Sequence, residues 1–184
     1  EVFTEELERQ MAGMSAHCDF DVEVALKSGK DGARVDLLAH VPGGGKIPVD
    51  AKVPLASYWD ALDETDPTVR ATGMVAHARA LKSHIDDLAR RNYSGLLEEG
   101  VDFTVLFIPA DPILAAAFEH MPELQEYGME RRVLVATPVT LIALLRTVGI
   151  YWQQQSLAEN AREIFEVSKD FYNRTAKFAE DFAK

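Results

Sequence analysis

Two carboxylates and one ammonium group lie close together on two segments that read as a strand hairpin. Asp36 lies within residues 34–41, Asp50 and Lys52 lie within residues 46–53, and a Pro-Gly-Gly-Gly turn joins the two segments. Mg²⁺ prefers hard oxygen ligands and usually takes one or two carboxylates, which leaves positions for water and phosphate. These residue types at this spacing therefore suggest metal-dependent phosphodiester chemistry.

The three polar side chains converge only if they share one face of the hairpin. Alternate residues of a strand share a face, and opposed residues of an antiparallel pair point the same way. If the three consecutive glycines form the loop, Asp36 lies opposite Lys52, and Asp50 lies on the neighbouring diagonal of the same face. The apolar residues between them form a second face that is suited to a core.

This arrangement assigns a role to each of the three groups. Asp36 and Asp50 bind Mg²⁺ or Mn²⁺, and the ion polarises the scissile phosphate and acidifies an attacking water. Lys52 orients that water or stabilises the developing charge. The alternative is an exposed strand face whose charges serve only solubility, because Asp-x-Lys is a short pattern.

The rest of the chain predicts a mixed sheet flanked by helices. Alternation over residues 20–26 predicts a first strand, and apolar runs over 103–108 and 132–136 predict two buried strands. An opening helix to about Met14, a helix with its apolar stripe over 74–88, a helical unit between the two buried strands, a helix from 138 through 148 and a further helix complete the order, with a loop between 60 and 70. The pattern indicates an α/β fold, with one domain over residues 1–150 and an amphipathic C-terminal helix over 151–184.

Charge and composition limit the classes of function. The formal net charge of -11 argues against a broadly basic nucleic-acid surface, so we expect weak DNA binding by this chain alone. Positive charge that could act locally clusters in Arg79, Lys82, Arg90 and Arg91. The single Cys18 is compatible with a reducing cytoplasm, and no apolar run is long enough to span a bilayer.

A heptad pattern marks the C-terminal helix. Large apolar residues recur every seventh position, and mostly smaller ones take the intermediate positions: Leu157, Ile164, Phe171 and Phe178, with Ala161, Ser168, Thr175 and Phe182. The pattern favours self-association into a homo-oligomer, and packing on the chain's own domain is the alternative.

The chain resembles the RmuC family of DNA recombination proteins over nearly its whole length. The resemblance rests on four segments in order: RVDLLAHVPGGGKIPVDAKVPL (34–55), HARALKSHIDDLARRNY (77–93), FTVLFIP (103–109) and RVLVATPVTLIALLRTVGIYWQQQSLAENAREI (132–164). It implies a core similar to PD-(D/E)XK nucleases, which have a restriction-endonuclease-like fold. It also implies an N-terminal membrane anchor and a coiled coil upstream of Glu1, so the full-length protein would be attached to the inner face of the membrane.

The resemblance also assigns residues. It matches Asp36 and the triplet Asp50-Ala51-Lys52 to the acid and acid-x-Lys positions of such nucleases. It further implies a catalytic Glu from the first helix, for which Glu1 is the match and Glu5 and Glu6 are alternatives. All three could instead be first-turn acids that complement the helix dipole.

Six further residues are candidates for DNA contact or support of the site: His77, Arg79, Lys82, His84, Arg146 and Gln155. His77 and His84 lie two turns apart on one helix, where they either contact phosphate and assist proton transfer or pack the helix onto the sheet. Arg146 and Gln155 either reach the site or anchor the terminal helix.

Three classes of function follow. The leading prediction is a Mg²⁺-dependent DNA endonuclease that acts in recombination and limits rearrangements, as the resemblance implies. The second is a non-catalytic protein that binds DNA structures on the same fold. The third is a structural oligomerisation module that relies on the heptad helix and the acidic surface.

Overall fold

The computed structural model describes residues 19–26, 33–41, 44–51, 54–97 and 100–182. These residues form five strands, five α-helices and one short 3₁₀ turn. The strands are β1 (Asp19–Leu26), β2 (Ala33–His40), β3 (Lys46–Asp50), β4 (Thr104–Phe107) and β5 (Val133–Ala136). The helices are α1 (Ala56–Asp63), α2 (Pro67–Arg91), α3 (Asp111–His120), α4 (Leu124–Glu130) and α5 (Pro138–Phe182), and the 3₁₀ turn is Tyr93–Leu96. The predicted opening helix lies outside the described residues.

The strands form one mixed sheet in the order β1-β2-β3-β4-β5. The β1–β2 and β2–β3 pairs are antiparallel, whereas β3–β4 and β4–β5 are parallel. Parallel neighbours need crossover connections, and α1 and α2 link β3 to β4 while α3 and α4 link β4 to β5. The predicted α/β class, with a mixed sheet flanked by helices and a long C-terminal helix, is therefore confirmed.

Helices cover the sheet on two faces, and each face has its own core. Helices α1 to α4 contribute to one apolar cluster with residues of β1, β2, β4 and β5. The first turns of α5 pack through Leu141 and Leu145 on the other, which contains Leu37, Val49 and Phe107. Because strand side chains alternate, Asp36 and Asp50 point away from this second core and towards α2.

Three features of the sequence explain why α2 forms a helix from Pro67 to Arg91. Asp66 caps the N-terminus, because its side chain accepts hydrogen bonds from the backbone of Thr68 at 2.8 Å and Val69 at 3.4 Å. The predicted stripe is confirmed as the buried face: Ala78, Leu81, Ile85 and Leu88. The helix ends at Asn92, which takes a left-handed conformation with φ 47°.

Two predicted boundaries are wrong. Residues 60–70 were expected to form a loop, but α1 continues to Asp63 and α2 begins at Pro67, so only three residues separate the helices. The predicted two terminal helices are one, since α5 runs from Pro138 to Phe182 without a break. Nothing in residues 149–153 interrupts a helix, because this stretch contains no proline and Gly149 alone is tolerated inside one.

The two parts of α5 differ in burial. Its start lies against the sheet as far as Trp152, which is half-buried, whereas the side chains of residues 153–175 are exposed apart from the half-buried Ser156. The division of the chain at residue 150 stays a prediction, as the helix itself begins at Pro138. Among the described residues, no helix combines the length and apolar character that a bilayer crossing requires.

Candidate active site

The β2–β3 hairpin brings the two predicted carboxylates together in a register that differs from the predicted one. Leu37 pairs with Val49 and His40 with Lys46, and continuing this register places Asp36 opposite Asp50. The predicted register, which is offset from this one by two residues, is therefore wrong, and Lys52 itself lies outside the described residues. Both carboxylates still share one face of the sheet, because the shift is two residues and preserves the alternation.

The position of the loop explains the change of register. The loop begins one residue earlier than expected, because Val41 N–H donates to the Gly45 carbonyl at 2.9 Å and Gly44 takes the positive φ of 100°. Gly45 itself packs against α5, where a Cβ would lie 2.6 Å from the Trp152 ring. The close approach of α5 thus requires glycine at this position.

Asp50 is the buried member of the carboxylate pair, with only 2% of its surface exposed. Its Oδ2 lies 3.1 Å from His84 Nε2, and its Oδ1 accepts from Arg91 Nη1 at 3.4 Å. Both partners are on α2, His84 two turns before its end and Arg91 at its last residue. The two side chains therefore hold both oxygens of the carboxylate from one helix, as a buried carboxylate requires.

Tyr93 follows the end of α2 and supports the contact between Arg91 and Asp50. Its hydroxyl accepts a hydrogen bond from Arg91 Nη1 at 3.0 Å, and the residue is 1% exposed. Burial raises the pKa of the Tyr93 hydroxyl, and the charges of Asp50 and Asp36 raise it further. The hydrogen bond to Tyr93 is the main cause of the raised pKa of Arg91. Tyr93 thus fixes a permanently charged guanidinium beside the carboxylates.

Asp36 is anchored differently. Its Oδ2 accepts from the backbone N–H of Ala51 at 2.9 Å, and its side chain is half-buried. The bond crosses from β2 to the residue after β3, so it orients one oxygen of the carboxylate beside Asp50. A carboxylate with one oxygen bonded to the backbone keeps lone pairs for another ligand.

The two histidines of α2 occupy unlike environments. His84 contacts Asp50, whereas His77 is fully buried with Nε2 3.1 Å from the Ile113 carbonyl and its ring 5.2 Å from that of Tyr58. Burial lowers the pKa of His77, and the backbone bond to Ile113 opposes that effect. His84 thus belongs to the carboxylate cluster, and His77 joins α2 to the start of α3.

Comparisons with known proteins bear on this cluster. The family model described as "RmuC family" matches residues 6–184. A "DNA recombination protein RmuC homolog" of Zymomonas mobilis is 42% identical over 168 residues, which cover 91% of this chain and 38% of the relative. The chain belongs to the RmuC family.

Two further relatives carry the same name. That of Chlamydia trachomatis is 31% identical over 97% of this chain and 40% of its own length, and that of Pseudomonas aeruginosa is 31% identical over 92% and 38%. The chain thus spans about two fifths of the RmuC relatives it matches. No solved structure matches it.

The remaining candidates named from the RmuC resemblance and from charge are dispersed. Arg79, Arg146 and Gln155 have exposed side chains. Lys82 lies 4.3 Å from the centre of the Tyr127 ring, where it makes a cation–π contact. Of all six, His84 is the residue that the structure brings to a carboxylate. Glu1 and Lys52 lie outside the described residues, and so do the alternatives Glu5 and Glu6.

The donor set fits a hard divalent cation of the Mg²⁺ type. Within the described ranges, no cluster of three or more His, Cys, Asp or Glu side chains is arranged to hold a metal ion. Mg²⁺ needs fewer, because it retains several waters and is commonly held by one or two carboxylates with the substrate's phosphate. Asp36 and Asp50, opposed on one face, supply that minimum.

Tyr93 is the member of this cluster that sequence reasoning missed, and Arg91 was noticed only as one positive charge among several. The signal that could have found them is the Arg91-Asn92-Tyr93 sequence at the end of α2. Asn tolerates the left-handed conformation and often ends a helix. The turn at Asn92 brings the residues on either side of it into hydrogen-bond contact.

Proposed function

We propose that this chain is the catalytic domain of a metal-dependent DNA endonuclease that acts in recombination. The observation that carries the proposal is the buried Asp50 opposite Asp36, with both oxygens of Asp50 bonded to side chains of α2. The relatives named DNA recombination proteins suggest DNA as the substrate. Its partners in this proposal are DNA and a second copy of the chain.

The fold in this proposal is restriction-endonuclease-like. Its support is the placement of the acids: Asp36 and Asp50 lie on two adjacent antiparallel strands, and β3 then continues the sheet in parallel with β4 and β5. Lys52 follows Asp50 by two residues, as an acid-x-Lys motif requires. The order of acids along the chain and the mixed sheet are the features that this assignment uses.

The metal would be held by Asp36 and Asp50, and when bound it would polarise a phosphate oxygen and lower the pKa of an attacking water. His84 and Arg91 fix the orientation of Asp50, so that one arrangement of its oxygens faces the site. Arg91 has five N–H donors, and those directed away from Asp50 and Tyr93 can bind a phosphate oxygen. Lys52 would orient the attacking water.

The second candidate is a DNA-binding protein without catalysis. One observation favours it: Arg91 and His84 already bond both oxygens of Asp50, as an internal cation would in a site that needs no metal. The acidic chain, with a net charge of -11, makes weak and salt-sensitive DNA binding the expectation for either candidate. Metal binding is the property that separates them.

The deciding experiment combines cleavage with metal binding. Single-stranded, duplex and branched DNA are incubated with the chain in Mg²⁺ or Mn²⁺, and Mn²⁺ affinity is measured by titration calorimetry. We expect Asp50→Asn and Lys52→Ala to abolish cleavage. Asp50→Asn should also weaken Mn²⁺ binding by about 100-fold, because a carboxylate ligand is lost.

Asp21→Asn is the matched control, since Asp21 is an exposed carboxylate of the same sheet with its own histidine partner. It should keep cleavage and metal affinity. No Mn²⁺ binding and no cleavage by the unmodified chain would overturn the proposal in favour of the second candidate. Cleavage that survives both Asp50→Asn and Lys52→Ala would exclude this site as its origin.

A further inference from the structure

The exposed part of α5, residues 153–175, carries an apolar surface that its own domain leaves uncovered. Six large apolar side chains in this segment are 63–71% exposed: Leu157, Ile164, Phe165, Val167, Phe171 and Tyr172. The segment is about 34 Å long at 1.5 Å per residue. An isolated helix of this kind gains little stability in water, so this surface requires a partner.

We propose that the partner is a second copy of the chain, paired antiparallel along residues 153–175 with a two-fold axis beside residue 166. The heptad has large residues in one core position and small ones in the other. Parallel pairing would place large against large and small against small in alternate layers, whereas antiparallel pairing places each large residue opposite a small one. The layers are Leu157 with Thr175, Ile164 with Ser168 and Phe171 with Ala161 of the second copy.

The positions that flank the core agree with the same axis. Phe165 meets Phe165 of the second copy on one side of the seam, and Val167 meets its own counterpart on the other. The outer flanking pairs are Ala158 with Tyr172 and Asn160 with Arg174. None of these pairs opposes two like charges, and the pairing is isologous, as a two-fold dimer requires.

The area of the seam is sufficient for a stable dimer. Six large side chains exposed by about two thirds present on the order of 1,500 Å² over two copies, which lies within the 1,200–2,000 Å² range of specific interfaces. Exposed Ile150 and Tyr151 extend the same seam towards the domain. In the antiparallel arrangement, the second copy places a small residue opposite the large one in every layer of this seam.

The first test is a charge-reversal pair at the axis. The unmodified chain should have twice its mass of 20.4 kDa by light scattering. Phe165→Asp and Phe165→Lys should each be monomeric, because each would place two like charges together at the axis. Their equimolar mixture should return to the dimer mass, since Asp then faces Lys. Asn173→Asp, on the exposed opposite side of the helix, is the matched control and should remain a dimer.

The second test measures direction. A spin label at Gln153→Cys, in a Cys18→Ser chain, should give a distance of about 40 Å between copies in the antiparallel pair, against about 20 Å in a parallel pair. A short distance, or no recovery in the mixture, would overturn the antiparallel arrangement. A monomer at about 100 µM would overturn self-association and assign the seam to another segment or protein. A cooperative urea-unfolding transition like that of the unmodified chain shows that the sheet domain of each variant still folds.

Discussion

The sheet carries two Asp–His pairs that differ in burial rather than in chemistry. His40 Nε2 lies 2.8 Å from Asp21 Oδ2 at the outer strand β1, and His84 Nε2 lies 3.1 Å from Asp50 Oδ2 at β3. The outer pair exposes 34% and 66% of its side chains, whereas the inner pair exposes 12% and 3%. The pair with the shorter distance is thus the exposed pair, whose attraction is screened by water and salt. Distance alone does not rank such pairs.

The inner pair also has supporting contacts of a different kind. Arg91 bonds the second oxygen of Asp50, and Tyr93 bonds Arg91, so the carboxylate belongs to a network in which each group limits the motion of the next. Buried networks of this kind are costly to disrupt, because a group left without its partner stays buried. Asp50, His84, Arg91 and Tyr93 therefore form one structural unit.

Removing the histidine from each pair gives the largest expected difference. His84→Ala should lower the free energy of unfolding by about 2 kcal/mol, because the buried Asp50 loses one of its bonded partners. His40→Ala should lower it by less than about 0.5 kcal/mol, as for other exposed ion pairs. Urea unfolding in EDTA measures both without any contribution from bound metal.

The salt dependence of the two histidine variants gives a second measurement of the same difference. In about 1 M salt, the effect of His40→Ala should shrink further because the exposed pair is screened, whereas the effect of His84→Ala should persist. Equal losses for the two variants at low salt would contradict the assignment of a buried network at Asp50.

Tyr93 gives the inner pair a support that the outer pair lacks. Tyr93→Phe removes the hydroxyl that accepts from Arg91 and should cost about 1 kcal/mol in the free energy of unfolding. It should also weaken Mn²⁺ binding, because Arg91 no longer holds the Asp50 carboxylate in one orientation. Calorimetric titration with Mn²⁺ and urea unfolding measure the two effects.

Tyr127→Phe is the matched control for this prediction. The Tyr127 hydroxyl makes a side-chain hydrogen bond too, as a donor to Asp86 at 2.7 Å, but its ring contacts Lys82 and Arg131 rather than the carboxylate pair. This variant should leave Mn²⁺ affinity unchanged. A loss of affinity equal to that of Tyr93→Phe would show that the hydroxyl effects are general.

The two carboxylates and His84 could be predicted from the sequence, while the contacts of Arg91 and Tyr93 could not. Asp36 and Asp50 lie on strands in which side chains point alternately to the two faces of the sheet. This alternation determines which residues share a face. Their opposition depends on register, and register depends on where the loop begins, which three consecutive glycines leave open. Arg91 lies 41 residues from Asp50, and a contact at that separation cannot be read from a local pattern.

The fold shows the same division between local and distant causes. The stripe of α2 and the buried strands β4 and β5 follow from periodicity within each segment. The short gap between α1 and α2 was missed, because a polar stretch with Asp66-Pro67 reads equally as a loop or as a cap followed by the first helical residue. In the structure, Asp66 is that cap.

His77 is a third histidine to compare with His40 and His84. Its ring is buried, and its hydrogen-bond partner is a backbone carbonyl. Burial lowers the pKa of His77 below its ordinary value of 6.5, and the Ile113 carbonyl opposes this shift. The unfolded chain therefore binds a proton at this residue at a higher pH than the folded chain does. Stability should fall as the pH drops below about 6.5 and continue to fall down to the pKa of the folded state.

The effect of His77 is the smallest expected here, and it is measured as the change in the free energy of unfolding with pH. Urea unfolding at about pH 7.5 and about pH 5 should show a smaller loss for His77→Gln than for the unmodified chain, because glutamine does not titrate and its amide can donate to the Ile113 carbonyl. Ser83→Ala, at an exposed position of the same helix, should keep the unmodified slope. An unchanged slope in His77→Gln would mean that His77 enters the folded state with its ordinary proton affinity. The fall in stability between the two pH values would then come from other titrating groups of the chain.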